Sequence, residues 1–188
     1  AVVGAAKTAT PQLAATAIGV ILNPWWEIPK SIEPEVRGKK GYVKVKTGEG
    51  TYRYRQPPGP SNSLGRMKVV MPNNYAIYLH DTPAKSLFSR SARAMSHGCI
   101  RTQDPLTFAR LLLENPEWDE AKIEETIAAG KTVKAEATIP TPVYIAYFTA
   151  AAKANGEGIV TYKDVYGRDD KVMASIKSGT TTAFAAVE

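Results

Sequence analysis

The chain has 188 residues, 44% of them hydrophobic and 22% charged, with a formal net charge of +6 and one cysteine. That length suits one domain with one sizeable core, and a lone cysteine excludes an internal disulfide. No stretch approaches the roughly 18 apolar residues of a membrane span, so the chain is expected to be soluble. It opens on Ala1-Val2-Val3-Gly4 instead of Met, with no signal peptide, and is expected to be a mature or trimmed fragment.

The charge is uneven. Between Arg37 and Lys68 there are nine basic residues against Glu49 alone, a local +8 that leaves −2 elsewhere. Such a flank either favours anionic, carboxylate-bearing partners or merely keeps a loop solvated. No zinc-finger, RNA-recognition or helix-turn-helix pattern accompanies it, so a nucleic-acid partner is not expected.

In chain order, short strands are expected around Val2–Val3 and Thr16–Leu22, separated by a turn at Thr10-Pro11. Asn23-Pro24 reads as a turn, and Trp25 and Trp26 then point to opposite sides of an extended chain. Core packing is their expected fate, with a substrate groove the other possibility. Residues 30–52 are basic and Gly-punctuated, the pattern of a flap or insertion, with one alternating strand at Tyr42–Lys46. Three prolines and two glycines make 55–65 a stiff loop. The stretch 66–80 reads as a hairpin reversing at Met71-Pro72-Asn73-Asn74. Strand alternation through its second arm puts Ala76, Tyr78 and His80 on one face, and Ile77 and Leu79 in the core.

Asp104-Pro105 starts a helix that ends at Asn115-Pro116, and a second helix is expected from about Asp119 to Ala129. Strands follow at Lys131–Ala135, Val143–Phe148 and Gly158–Tyr162, and a loosely held tail starts at about residue 167. The whole reads as a mainly β (α+β) single domain over 1–188, with two short helices after the cysteine.

Cys99 and both histidines, His80 and His97, fall within residues 80–101. Ser96-His97-Gly98-Cys99-Ile100-Arg101 has the composition of a nucleophile site. A thiol needs a base or a positive environment to react as thiolate. Gly98 lets the backbone turn so that its own N–H and that of Cys99 face a reacting carbonyl. Arg101 suits a substrate carboxylate. The far nitrogen of a base such as His80 needs an acceptor, and a backbone carbonyl such as that of Asp81 would suffice.

His80, fifteen residues, then Ser96-His97-Gly98-Cys99, with an apolar residue and Arg101 behind them, resembles the signature of the L,D-transpeptidase catalytic domain family (YkuD domain). The segments RQPPGP, LGRMK, YLHDTP and PVYIAYFTA are similar to its large proteobacterial branch, so the likeness covers roughly residues 20–150. The resemblance implies a β-sandwich of that family's type, Cys99 as the acylated nucleophile and His80 as the group that takes its proton. His97 is implied to support the loop or contact the site, and Ser96 and Arg101 to hold loop and substrate; Tyr78 joins them on strand alternation alone. The implied reaction is peptidoglycan cross-linking. The cysteine attacks the bond before the fourth-position D-Ala of a tetrapeptide stem, releases D-Ala, and passes the acyl group to an amine of a second stem. Export to the periplasm, inhibition by carbapenem β-lactams, and no metal or cofactor are implied too. Larger family members carry a bigger capping segment than 30–52 and further upstream domains.

Alternatives remain at this level. With water as acceptor the same acyl-enzyme makes an L,D-carboxypeptidase, and with a lipoprotein lysine an anchoring enzyme. A non-catalytic peptidoglycan-binding module is a third class. Cys99 as an inert buried thiol, Arg101 as a loop-pinning residue and His97 as a purely structural one are the plainer readings. A structural zinc on His80, His97 and Cys99 is disfavoured, because it lacks a fourth ligand and compact spacing.

Overall fold

The computed structural model describes residues 1–179. The chain's contacts cluster into two compact units where the sequence reads as one domain: Ala1–Ile145, and a second starting at Ala146. In chain order the first unit contains β1 (Val3–Gly4), β2 (Leu13–Leu22), β3 (Trp26–Glu27), α1 (Glu33–Val36), β4 (Val43–Gly48), β5 (Thr51–Gln56) and β6 (Met67–Val70). There follow β7 (Leu79–His80), β8 (Ala94–Ser96), β9 (Ile100–Arg101), α2 (Pro105–Leu113), α3 (Glu120–Ala128) and β10 (Val133–Ile145). The fold is mainly β, and α2 and α3 are the two helices expected after the cysteine.

A five-stranded sheet, ordered β10-β2-β6-β7-β9, organises the unit. One of its faces, with Val20, Leu22, Met67, Val69 and Ala135, packs on Ala109, Leu112 and Leu113 of α2 and Ile123 of α3 to form the core. The helix starts follow from their caps. The Asp104 carboxylate accepts from the Thr107 N–H at 3.4 Å, and that of Asp119 from the Lys122 N–H at 2.7 Å. At the end of β2, Asn23 (φ 47°) donates through Nδ2 to the carbonyls of Thr126, Ile127 and Lys131, which fastens the end of α3 to the sheet.

Three local expectations change. β5 is a full strand at Thr51–Gln56, because Tyr52 to Arg55 pair with β4 and make a three-stranded sheet ordered β3-β5-β4. The two strands expected at 131–135 and 143–148 are one strand, β10, with a register irregularity between Glu136 and Thr141. Pro140 and Pro142 are tolerated because β10 is an edge strand. The second arm of the 66–80 hairpin is short: Ala76 has φ 52°, and only Leu79–His80 is strand. Asn73 replaces the missing ladder, donating to the carbonyls of Met71 and Ile77 and accepting from the N–H groups of Tyr75 and Ile77. Ile77 is buried among the core hydrophobics, as expected, and it also lines the cleft described below.

The second unit pairs β11 (Ala150–Ala152) with β12 (Ile159–Thr161) and adds α4 (Asp169–Ser178). Its polar hub is Asp164, which accepts from the Tyr147 hydroxyl at 2.7 Å and the Asp169 N–H at 2.9 Å. The tail expected to be loosely held from 167 therefore includes a helix, and its last residues, 180–188, lie outside the described ones.

Candidate active site

β7 and β9 run parallel, with Leu79 beside Ile100 and His80 beside Arg101. Directly paired residues share a face of the sheet, so Leu79 packs towards the core while His80 and Arg101 project from the opposite side. There a cleft of about 600 Å³ opens, bounded by the sheet, the Ser96–Cys99 loop and residues of the 26–42 segment. Tyr78, His80, Ser96, His97, Cys99 and Arg101 all line it. Gly98 does not.

The loop's shape comes from inside itself and from the start of the chain. The Ser96 hydroxyl donates to the Cys99 carbonyl at 2.6 Å and accepts from the Gly98 N–H at 3.1 Å. That amide, expected to face a reacting carbonyl, is thus turned inward. Gly98 has φ 118°, and a Cβ there would sit 3.1 Å from Ile77 Cδ1, so no other residue fits without strain. From outside, Thr8 Oγ1 donates to the Ser96 carbonyl at 2.9 Å and Thr10 Oγ1 to the Gly98 carbonyl at 2.7 Å. β1 runs parallel to β8 in support. Nothing in the sequence pointed to either threonine, since the contacts span 88 residues.

His80 is buried, and its Nδ1 hydrogen-bonds the Asp81 carbonyl, the acceptor expected from the sequence. Asp81 is itself clamped: its carboxylate accepts from the Arg66 N–H at 2.8 Å, and it pairs with Lys85 and with Arg66 Nε at 3.5 Å. Gly65 packs so close that a Cβ would lie 2.4 Å from Asp81 Oδ2. Cys99 Sγ lies 3.8 Å from the Ala76 carbonyl. The Tyr78 and His80 rings meet edge to face at 5.9 Å, and Tyr78 lines the cleft together with Trp26 and Cys99. His97 is half exposed, and its Nε2 lies 3.3 Å from Glu35 of α1, which lines the same cleft. Arg101 Nε is buried without a hydrogen-bond partner among the described residues.

Over residues 1–145 the sequence matches the L,D-transpeptidase catalytic domain family, YkuD. The chain belongs to this family. It is also 31% identical, over 198 aligned residues, to a Haemophilus influenzae protein named "Putative L,D-transpeptidase". The match takes in 91% of this chain and 40% of that relative, so the chain spans less than half of the relative's length. Residues 1–145 are also the first compact unit, so the family match and the fold agree on its extent.

Burial governs the electrostatics of this L,D-transpeptidase domain. It pushes the Cys99 thiol up, against the opposing pull of Tyr78, Lys68 and Arg101. It pushes the His80 imidazole down to about 4, although the carbonyls of Asp81 and Leu64 favour the charged ring. Near neutral pH both groups rest uncharged, and a thiolate already formed in mildly acidic solution is not what this cleft supports. The Arg101 guanidinium is lowered by burial, with charge on Cys99 acting the other way. No cluster of three or more metal-ligating side chains occurs among the described residues. No helix among them is long and apolar enough to cross a membrane.

Proposed function

We propose that this chain is a peptidoglycan L,D-transpeptidase with Cys99 as nucleophile and His80 as general base. The observation that carries this reading is a buried, neutral His80 sharing one cleft with Cys99, its Nδ1 committed to the Asp81 carbonyl. A proton fixed on Nδ1 leaves Nε2 with a lone pair that can accept the thiol proton.

From a neutral pair, the proton moves from Sγ to Nε2 as Sγ bonds to the carbonyl carbon before the fourth-position D-Ala. The oxyanion is met by the Cys99 N–H, since the Gly98 N–H is held by Ser96. Collapse breaks the C–N bond, and His80 returns its proton to the departing D-Ala nitrogen. An amine of a second stem then attacks the thioester and gives a proton to His80, and the thiol is regenerated. Atoms and charge balance with no cofactor.

Arg101, with its buried and unpartnered Nε, suits a carboxylate of the donor stem. Ser96 and Gly98 serve by shaping the loop. His97 joins that loop to the 30–52 flap through Glu35. Tetrapeptide stems as donor and acceptor place the work outside the cytoplasmic membrane, in the periplasm.

The test is intact mass after incubation with a carbapenem, followed by a tetrapeptide donor with an amine acceptor. A single adduct on the natural chain, absent in Cys99→Ala and slowed in His80→Asn, supports the acyl-enzyme. D-Ala release with a cross-linked dimer then supports transpeptidation, and release without dimer favours the carboxypeptidase alternative. Absence of both the adduct and D-Ala release would sink the assignment.

A further inference from the structure

Lys68 stands outside every group assigned above, yet its place in the sheet is next to them. In β6 it is paired directly with His80 of β7, which is paired in turn with Arg101 of β9. Lys68, His80 and Arg101 therefore form a row across three strands on the cleft side, while Met67 and Val69 of the same strand enter the core. The Lys68 ammonium lies 4.4 Å from the centroid of the Tyr78 ring, in cation–π contact.

This ammonium has little else to serve. Lys68 is half-buried, and it makes no salt bridge among the described residues. Glu27 of β3, the acid that acts on it, pairs with Arg53 at 3.4 Å. Burial lowers the lysine's pKa, whereas negative charge on Cys99 and on Glu27 raises it. The charged groups acting on Cys99 are Lys68 from β6 and Arg101 from β9, and the Tyr78 phenol and the neutral His80 line the same cleft as Cys99.

We propose that Lys68 is a positioning residue for the nucleophile: seated on the Tyr78 ring, its ammonium holds the phenol towards Cys99 Sγ and supplies positive charge behind the thiolate as it forms. A cation on the ring face draws electron density from the phenol and makes its O–H a stronger donor to a developing negative sulfur. Arg101 is then free to meet substrate, because the charge that supports the sulfur comes from the neighbouring strand. The proposal rests on Cys99 being the nucleophile.

The experiment is the rate of Cys99 alkylation by iodoacetamide as a function of pH, in the full chain, for the natural protein, Lys68→Met and Lys68→Arg. Thermal melting by circular dichroism runs alongside as the control for folding. Lys68→Met is expected to raise the midpoint of the profile by about one pH unit, making alkylation about tenfold slower near neutrality. Lys68→Arg, which keeps a cation able to stack on the ring, is expected to restore the natural midpoint. An unchanged midpoint in a folded Lys68→Met protein overturns the proposal, as does a folded Lys68→Arg protein that behaves like Lys68→Met.

If Lys68→Met does not fold, Tyr78→Phe carries the comparison. It keeps the lysine but removes the hydroxyl through which the lysine is proposed to act, so its midpoint must rise, and an unchanged midpoint overturns the proposal. Iodoacetamide needs no stem-peptide recognition, so the outcome is separable from that of the transpeptidase assignment. A missing carbapenem adduct on a protein whose alkylation profile still depends on Lys68 would count against the assignment alone.

Discussion

His80 gives the structure a measurable acid sensitivity. In the unfolded chain its imidazole titrates near 6.5, while burial in the cleft pushes it down to about 4. Between those values the unfolded state binds more protons than the folded one, so stability must fall as pH falls. The contribution is fully present above pH 6.5, is lost progressively below it, and is exhausted below about pH 4. Converted at about 1.4 kcal/mol per pH unit, the loss totals about 3 kcal/mol, of which about 2.5 kcal/mol has gone by pH 4.5. His80→Asn keeps an N–H able to donate to the Asp81 carbonyl but cannot titrate. The assay is urea unfolding of both proteins at pH 8 and pH 4.5. The variant is expected to be weaker at pH 8, because ring packing is lost, yet to lose about 2 kcal/mol less on acidification. Carboxylates titrate alike in both chains and cancel in that difference. Equal acid losses in the two proteins would refute the buried, neutral imidazole and with it the general-base role.

Gly65→Ala is expected to lower stability by about 1–3 kcal/mol, because φ is 61° and the new Cβ would lie 2.4 Å from Asp81 Oδ2. Pushing Asp81 also moves the carbonyl that holds His80, so slower carbapenem acylation should accompany a lower Tm; unchanged values of both would show that Asp81 yields freely. Thr10→Val removes a buried donor to the Gly98 carbonyl and a buried acceptor for the Gly4 N–H, at a cost of about 1–3 kcal/mol. Hydrogen exchange should quicken around residues 94–101, and protection equal to that of the natural chain would mean that the loop holds itself.

What could be read from the sequence was whatever local chemistry dictates. Asp104-Pro105 and Asp119 announced α2 and α3 because a cap acts within one turn. The Ser96–Arg101 motif and the distant His80 gave the family, and the carbonyl of Asp81 could be named as acceptor because it follows the histidine directly. The two halves of β10 read as separate strands because prolines interrupt a pattern that only an edge position permits. The donor role of the Gly98 N–H was misjudged because glycine signals a turn without saying which way the amide faces. Thr8, Thr10, Glu35 and Lys68 reach the site only through pairings between distant strands and loops. Their residue types alone carry no such signal.

Those threonines have a consequence for time. The backbone around Cys99 is anchored to side chains 88 residues upstream, by bonds that exist only after the intervening strands have taken their places. Contacts of that separation close late, because the entropy of a long loop must be overcome before they contribute anything. Until then Cys99 is an ordinary thiol on a mobile chain, with neither His80 nor Lys68 beside it. Its reactivity is thus delayed by topology until the strands around it have closed.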